Sequence, residues 1–95
     1  MAIRSFRNRE TECFFFKGIV SKKCKWSSRK KIARRKLDML DYAKSLKDLK
    51  SPPSNHLEAL RGQLKGFFSI RINDQWRSIF RWDIEPYDVE IIDYH

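Results

Sequence analysis

The side chains able to move protons or hold an anion fall mostly in the second half of the chain. There are two histidines, His56 and His95, and an unperturbed imidazole titrates near neutrality. Asp93 lies two residues before His95. On an extended backbone the two share a side, and the carboxylate could orient or charge the ring. Tyr94 offers a phenol or a stacking surface. Arg61, Lys65, Arg71, Arg77 and Arg81 precede this tail, and the arginine fork makes paired hydrogen bonds to phosphate. Acid–base groups beside cations suit RNA cleavage, because the ribose 2′-hydroxyl is a nucleophile carried by the substrate. The reaction needs a base for that hydroxyl, cations for the crowded phosphate and an acid for the departing 5′-oxygen. It requires no metal and no cofactor in principle. From position alone, Asp93-Tyr94-His95 also reads as a frayed chain end. Arginines in strands are commonly solvated or paired with cross-strand acids, and His56 beside a Pro-Pro loop reads as structural or exposed.

Other chemistries lack their signatures. The chain has no P-loop, no paired-cysteine motif, no H-E-x-x-H and no G-x-S-x-G. Cys13 and Cys24 are the only cysteines, with no histidine near them to complete a metal set. The N-terminus lacks an apolar signal stretch, so a cytoplasmic location with reduced thiols is expected. No apolar run is long enough to span a membrane.

Charge narrows the partner. Lys and Arg number 21 against 12 Asp and Glu, giving +9, an excess that favours a polyanion through attraction and counterion release. The charge is segregated. Cys13 to Leu37 holds ten basic residues and no acid, whereas Trp82 to His95 holds five acids and no basic residue. Lys22, Lys23, Lys25, Arg29, Lys30, Lys31, Arg34 and Arg35, joined by Lys65 and Arg71, are candidates for an RNA- or ribosome-facing surface. The alternative for the helical part of this run is a solvated face with no partner.

Elements to carry these groups are legible. The 95 residues suit one domain, 1–95. Ile3 to Phe6 reads as a short strand. Asn8 then caps a helix with Glu10 and Glu12 in its first turn and Lys17-Gly18 at its end, placing Phe14, Phe15 and Phe16 in the core. A longer helix is expected from Ser27 or Ser28 to about Leu46, with Ala33, Leu37, Leu40, Ala43 and Leu46 at helical spacing. Lys36 falls within that stripe and must snorkel or mark its edge. Ser51-Pro52-Pro53-Ser54-Asn55 breaks the helical half. Strands follow at Leu57–Leu60, at Gly66–Ile72 with Phe68, Ile70 and Ile72 on one side, at Gln75–Trp82 and at Tyr87–Tyr94, the middle two forming a hairpin across Asn73-Asp74. The face that Arg77 takes stays open, because one residue of turn length reverses every side chain. The order implies an α+β fold, two N-terminal helices packed on a mostly antiparallel sheet of four to five strands.

Several stretches closely resemble one known family. They are Ile3-Arg4-Ser5-Phe6, Pro52-Pro53-Ser54-Asn55, Leu57-Glu58-Ala59-Leu60-Arg61-Gly62, G-F-F-S-I-R-I-N-D-Q-W-R from Gly66 to Arg77, and Asp93-Tyr94-His95. Across essentially the whole chain they resemble the HigB toxins of bacterial toxin–antitoxin systems, within the RelE superfamily. The resemblance implies a RelE-like microbial RNase fold and a metal-independent endoribonuclease that enters the ribosomal A site and cuts translated mRNA. It also implies a HigA-like helix-turn-helix antitoxin as partner. Carried over by position, the implied catalytic residues are Glu58, Arg61, Arg77, Asp93, Tyr94 and His95. Arg61 and Arg77 would hold the phosphate, His95 would serve as general acid or base tuned by Asp93, and Tyr94 would position a base or ribose. Glu58 stands where some relatives have His. The chain departs from the family at Arg61-Gly62-Gln63, where Lys-Gly-Asp is common, and at Phe67-Phe68, where Gln-Tyr is common. A noncatalytic RNA- or ribosome-binding module, or a degenerate toxin that mainly binds its antitoxin, would share this charge and fold.

Overall fold

A computed structural model of the chain describes residues 2–94; Met1 and His95 lie outside them. Helix α1 spans Arg9–Lys17. The Asn8 side chain accepts a hydrogen bond from the Thr11 amide at 3.0 Å, and Gly18, at φ 69°, returns its N–H to the Phe14 carbonyl. A left-handed residue at this position closes a helix at least cost when it is glycine. Phe14 and Phe15 are buried, but Phe16 is 56% exposed. The expectation of a fully buried Phe run is therefore corrected: successive helical residues are about 100° apart, so three in a row cannot share one face.

Helix α2 spans Lys30–Tyr42 after a 3₁₀ turn at Ser27–Arg29. Ala33, Leu37 and Leu40 are completely buried. The helix stops short of Leu46 because Ala43 is extended and Ser45 opens a new turn, Leu46–Lys50, through a capping box with Asp48. The Asp48 carboxylate accepts the Lys44 and Ser45 amides at 2.9 and 3.2 Å. These bonds hold its carboxyl below the usual carboxylate range. Lys36 neither snorkels nor marks an edge. It is buried, and its ammonium donates to Asn55 Oδ1 at 2.5 Å. Asn55 in turn donates to the Leu49 and Ser51 carbonyls, which ties the Pro-Pro loop to α2.

The sheet has four antiparallel strands in the order β1-β2-β3-β4: Glu58–Ala59, Phe68–Arg71, Trp76–Asp83 and Glu85–Asp93. The expected strand at Ile3–Phe6 contracts to one parallel bridge, Phe6 to Val89. A longer ladder is blocked by Pro86, which has no N–H to give, and by Asp88, whose amide donates to the Ser5 hydroxyl instead. The two helices lie against one face of the sheet, over Ile70, Ile72, Trp76, Phe80, Val89 and Ile91. A second, smaller apolar cluster of Leu60, Phe67 and Ile79, with Leu64, Ile92 and Tyr94 beside it, lines the other face. The alternation read at Gly66–Ile72 holds: Phe68, Ile70 and Ile72 face the helices and Phe67 does not. No described helix is long and apolar enough to cross a membrane.

Candidate active site

The β2–β3 register settles the face of Arg77. Arg71 stands opposite Arg77 and Ser69 opposite Ile79. Directly opposed residues project to the same side of a sheet, so Arg71, Arg77 and Ser69 accompany Ile79 on the helix-free face. Glu58 stands opposite Ser69 on the other flank of β2. The arginine therefore reaches diagonally across β2. Its Nη1 lies 2.8 Å from Glu58 Oε1 and donates to Ser69 Oγ at 3.4 Å. Tyr94, packed against the smaller cluster, places its ring centroid 5.7 Å from the Arg77 guanidinium carbon. The arginine side chain is only 19% exposed, whereas Glu58 is 50% exposed. A half-buried cation is thus held in a fixed orientation, with an accessible carboxylate on one side and a phenol ring on another.

Phe67 extends the same face. Arg7 and Arg81 both lie over its ring, at 5.1 and 4.4 Å. Gly66, at φ 96°, carries the chain into this arrangement where a Cβ would stand 3.0 Å from Arg81 Nη1. The surface around Arg77 therefore combines arginines with aromatic rings, Arg7 and Arg81 being paired with Glu90 and Asp88. Where phosphates displace such carboxylates, the combination suits a single-stranded nucleic acid through phosphate pairing and stacking.

The other expected residues fall in different places. Arg61 is exposed at the cap of the Gly62–Leu64 turn and makes no ion pair with the described residues. Asp93 stands opposite Trp76, a residue of the main core, so it projects to the helix side and does not share a face with Arg77. Its carboxylate accepts from Gln75 Nε2 at 3.0 Å, and it borders a groove that includes Lys23, Lys25 and Trp26. His95 lies outside the described residues. His56 is exposed, in the left-handed conformation after the Pro53–Asn55 turn.

Within the basic stretch, Lys22, Lys23, Lys25, Arg29, Lys30, Lys31 and Arg35 are exposed, as is Lys65. Arg34 is engaged internally: it donates to the Phe15 carbonyl at 2.7 Å and to Asp38 at 3.1 Å, and stacks on the Phe15 ring. It fastens α2 to the end of α1. Arg71 pairs with Asp74. Among the described residues no three His, Cys, Asp or Glu side chains gather at metal-binding distance. The thiols are free, and burial pushes the Cys24 thiol up to about 11.

Two contributors escaped the sequence reading, Ser69 and Arg7. Ser69 was detectable in principle, as a small polar residue between Phe68 and Ile70 in a strand otherwise apolar on both flanks. Arg7 carried no signal, since its place beside Phe67 depends on how the N-terminal segment meets β4.

A family model described as the RelE-like toxin of the type II toxin–antitoxin system HigB matches residues 4–95. Toxin HigB-1 of Vibrio cholerae serotype O1 is 54% identical over 48 residues, which cover 50% of this chain and 50% of that protein. An uncharacterized protein of Haemophilus influenzae is 38% identical over 65 residues, covering 68% of this chain and 64% of its own length. The chain thus spans between half and two thirds of the length of these curated relatives.

Proposed function

The chain belongs to the family of HigB-like toxins of type II toxin–antitoxin systems, and from that premise we propose that it is a ribosome-dependent endoribonuclease acting on translated mRNA in the cytoplasm. The observation that carries the reading is Arg77. It is fixed by Glu58 and Ser69 beside Tyr94 on the helix-free face of the sheet. A scissile phosphate entering this face exchanges the Glu58 carboxylate for its own oxygens on the guanidinium. Arg77 then stabilises the charge that develops on the phosphoryl oxygens, with Arg61 as a second cation at the rim. Glu58, freed from the ion pair, is placed to accept the 2′-hydroxyl proton. His95 supplies the acid for the departing 5′-oxygen; Asp93, on the opposite face of the sheet from Arg77, stays outside the phosphate's contacts and acts only by tuning His95. Tyr94 stacks on a base or ribose.

The partners follow the same reading. The exposed basic residues of Lys22–Arg35 and Lys65 face ribosomal RNA in the A site, where salt-dependent phosphate contacts supply most of the affinity. A HigA-like helix-turn-helix antitoxin neutralises the toxin. Residues 1–95 act as one toxin domain without a cofactor. Expression in a bacterial host is expected to arrest growth and to produce cuts only in messages under translation. Co-expression of a helix-turn-helix protein from the neighbouring gene should relieve the arrest. Salt-sensitive ribosome binding with no cleavage products would instead identify a noncatalytic binding module.

A further inference from the structure

A second cationic feature lies away from the Arg77–Glu58 pair. A groove of about 390 Å³ opens between α2, the Pro53–Asn55 turn and the β2–β3 turn; Arg35, Lys36, Ser54, Arg71 and Asn73 form its polar lining, with Ile32 and Ile72 beside them. Its donors outnumber its acceptors for identifiable reasons. Lys36 is 7% exposed and has a neutral amide, Asn55 Oδ1, as its acceptor; no carboxylate among the described residues pairs with it. Buried lysines ordinarily sit beside an acid. An ammonium has three N–H donors, so the Asn55 bond leaves two. Asn73 spends its Oδ1 on the Gln75 and Trp76 amides, at 2.9 and 2.7 Å, which leaves its Nδ2 hydrogens as donors. Ser54 adds an exposed hydroxyl. The nearby carboxylate, Asp74, is 96% exposed and rests on Arg71.

Burial, together with Arg35 and Arg71, holds the Lys36 ammonium below its ordinary pKa. Asp74 neutralises Arg71 alone, so Arg35 and Lys36 keep uncompensated positive charge among the described residues, which costs stability unless an anion occupies the groove. Arg71 links the groove to the site already described: it stands directly opposite Arg77 in the sheet, and its side chain borders the groove. The edge of β2 is open there, because β1 covers only Phe68 and Ser69.

We propose that this groove seats a backbone phosphate of the same RNA strand whose scissile phosphate meets Arg77. The inference rests on the RNA reading of the Arg77 face and deepens it, because it gives the substrate a second anchor and a direction across the end of β2. Lys36 and Asn73 supply hydrogen bonds from the floor, and Arg35 and Arg71 close over the phosphate from the rim.

The test uses the full chain and two probes: inorganic phosphate, and a short RNA made uncleavable by 2′-O-methyl groups. Phosphate is expected to shift the backbone amide resonances of Ser54, Ile72 and Asn73 saturably, at matched ionic strength against chloride. Arg35→Glu, an exposed change that leaves the core intact, should abolish these shifts and weaken RNA binding roughly tenfold, with the salt slope falling by about one. Lys47→Glu, on the Leu46–Lys50 turn and outside the groove lining, makes the same charge change and should leave RNA affinity within about twofold. RNA affinity insensitive to Arg35→Glu, or amides unmoved by phosphate, would overturn the groove alone. Phosphate shifts in a protein with no affinity for RNA would overturn both the groove's occupant and the reading of the Arg77 face.

Discussion

Replacing Arg77 separates what the site does from what holds the fold. The side chain contributes one ion pair, to a carboxylate that is 50% exposed, one long hydrogen bond to Ser69 and a cation–π contact with Tyr94. An ion pair open to water on one side contributes about 0.2–1 kcal/mol, the serine bond adds on the order of 1 kcal/mol and the ring contact about 0.5–1 kcal/mol. Arg77→Ala should therefore lower stability by roughly 2–3 kcal/mol, against the roughly 5–15 kcal/mol typical of a small domain. At 25 °C nearly all the variant stays folded. Losing a preorganised donor for transition-state charge is much more costly to the reaction, about 2.7–4 kcal/mol or a factor of 10²–10³ in rate. Arg77→Lys keeps the charge and loses the fork that spans Glu58 and Ser69, so an intermediate loss on the order of tenfold to a hundredfold is expected. The assay is single-turnover cleavage of mRNA on purified translating ribosomes, run beside thermal unfolding of each variant. Arg77→Ala cleaving at near wild-type rate would refute the assignment. So would a rate loss that merely tracks the fraction unfolded.

Three further outcomes test the structural frame. Asn55→Ala removes the acceptor of a buried ammonium and the donor to two loop carbonyls, so it should cost roughly 2–4 kcal/mol and lower Tm by roughly 10–20 °C in a melting experiment. Ile84 is 87% exposed at φ 69° in the β3–β4 hairpin, and Ile84→Gly should relieve about 1–2 kcal/mol of left-handed strain. Part of that relief is lost to a freer unfolded chain, so calorimetry should show a Tm raised by a few degrees. Because burial pushes the Cys24 thiol up to about 11 and the thiolate is the nucleophile, iodoacetamide at pH 8 should label Cys13 in the native protein. Cys24 should be labelled only after unfolding, as peptide mass mapping would show.

Local chemistry was legible where neighbours in sequence decide it. Asn8 and Gly18 cap α1 as their types demand, the strand order follows the turn residues, and the alternation at Gly66–Ile72 separates the two faces correctly. Contacts set by register were not legible. The face of Arg77 depended on the length of the β2–β3 turn, and its pairing with Glu58 crosses an intervening strand. The same arithmetic sends Asp93 to the side of Trp76, whereas the family resemblance had grouped it with Arg77. Lys36 looked like the edge of an apolar stripe because its partner, Asn55, is contributed by a distant loop. The end of α2 is obscured in the sequence by apolar residues that continue past Tyr42, although Ser45 and Asp48 stand at capping-box spacing for the turn that follows it. Family membership identified the toxin class, and the geometry assigned Arg77 its neighbours.

The most direct test of the central claim is the chemistry of the cut ends on translating ribosomes. If the ribose hydroxyl is the nucleophile and Arg77 holds the phosphate, the upstream fragment should end in a 2′,3′-cyclic phosphate or its hydrolysed 3′-phosphate. The downstream fragment should begin with a 5′-hydroxyl. A single 2′-deoxy substitution at the scissile nucleotide should abolish cleavage. Efficient cutting of the 2′-deoxy message, or fragments bearing 3′-hydroxyl and 5′-phosphate ends, would contradict the account.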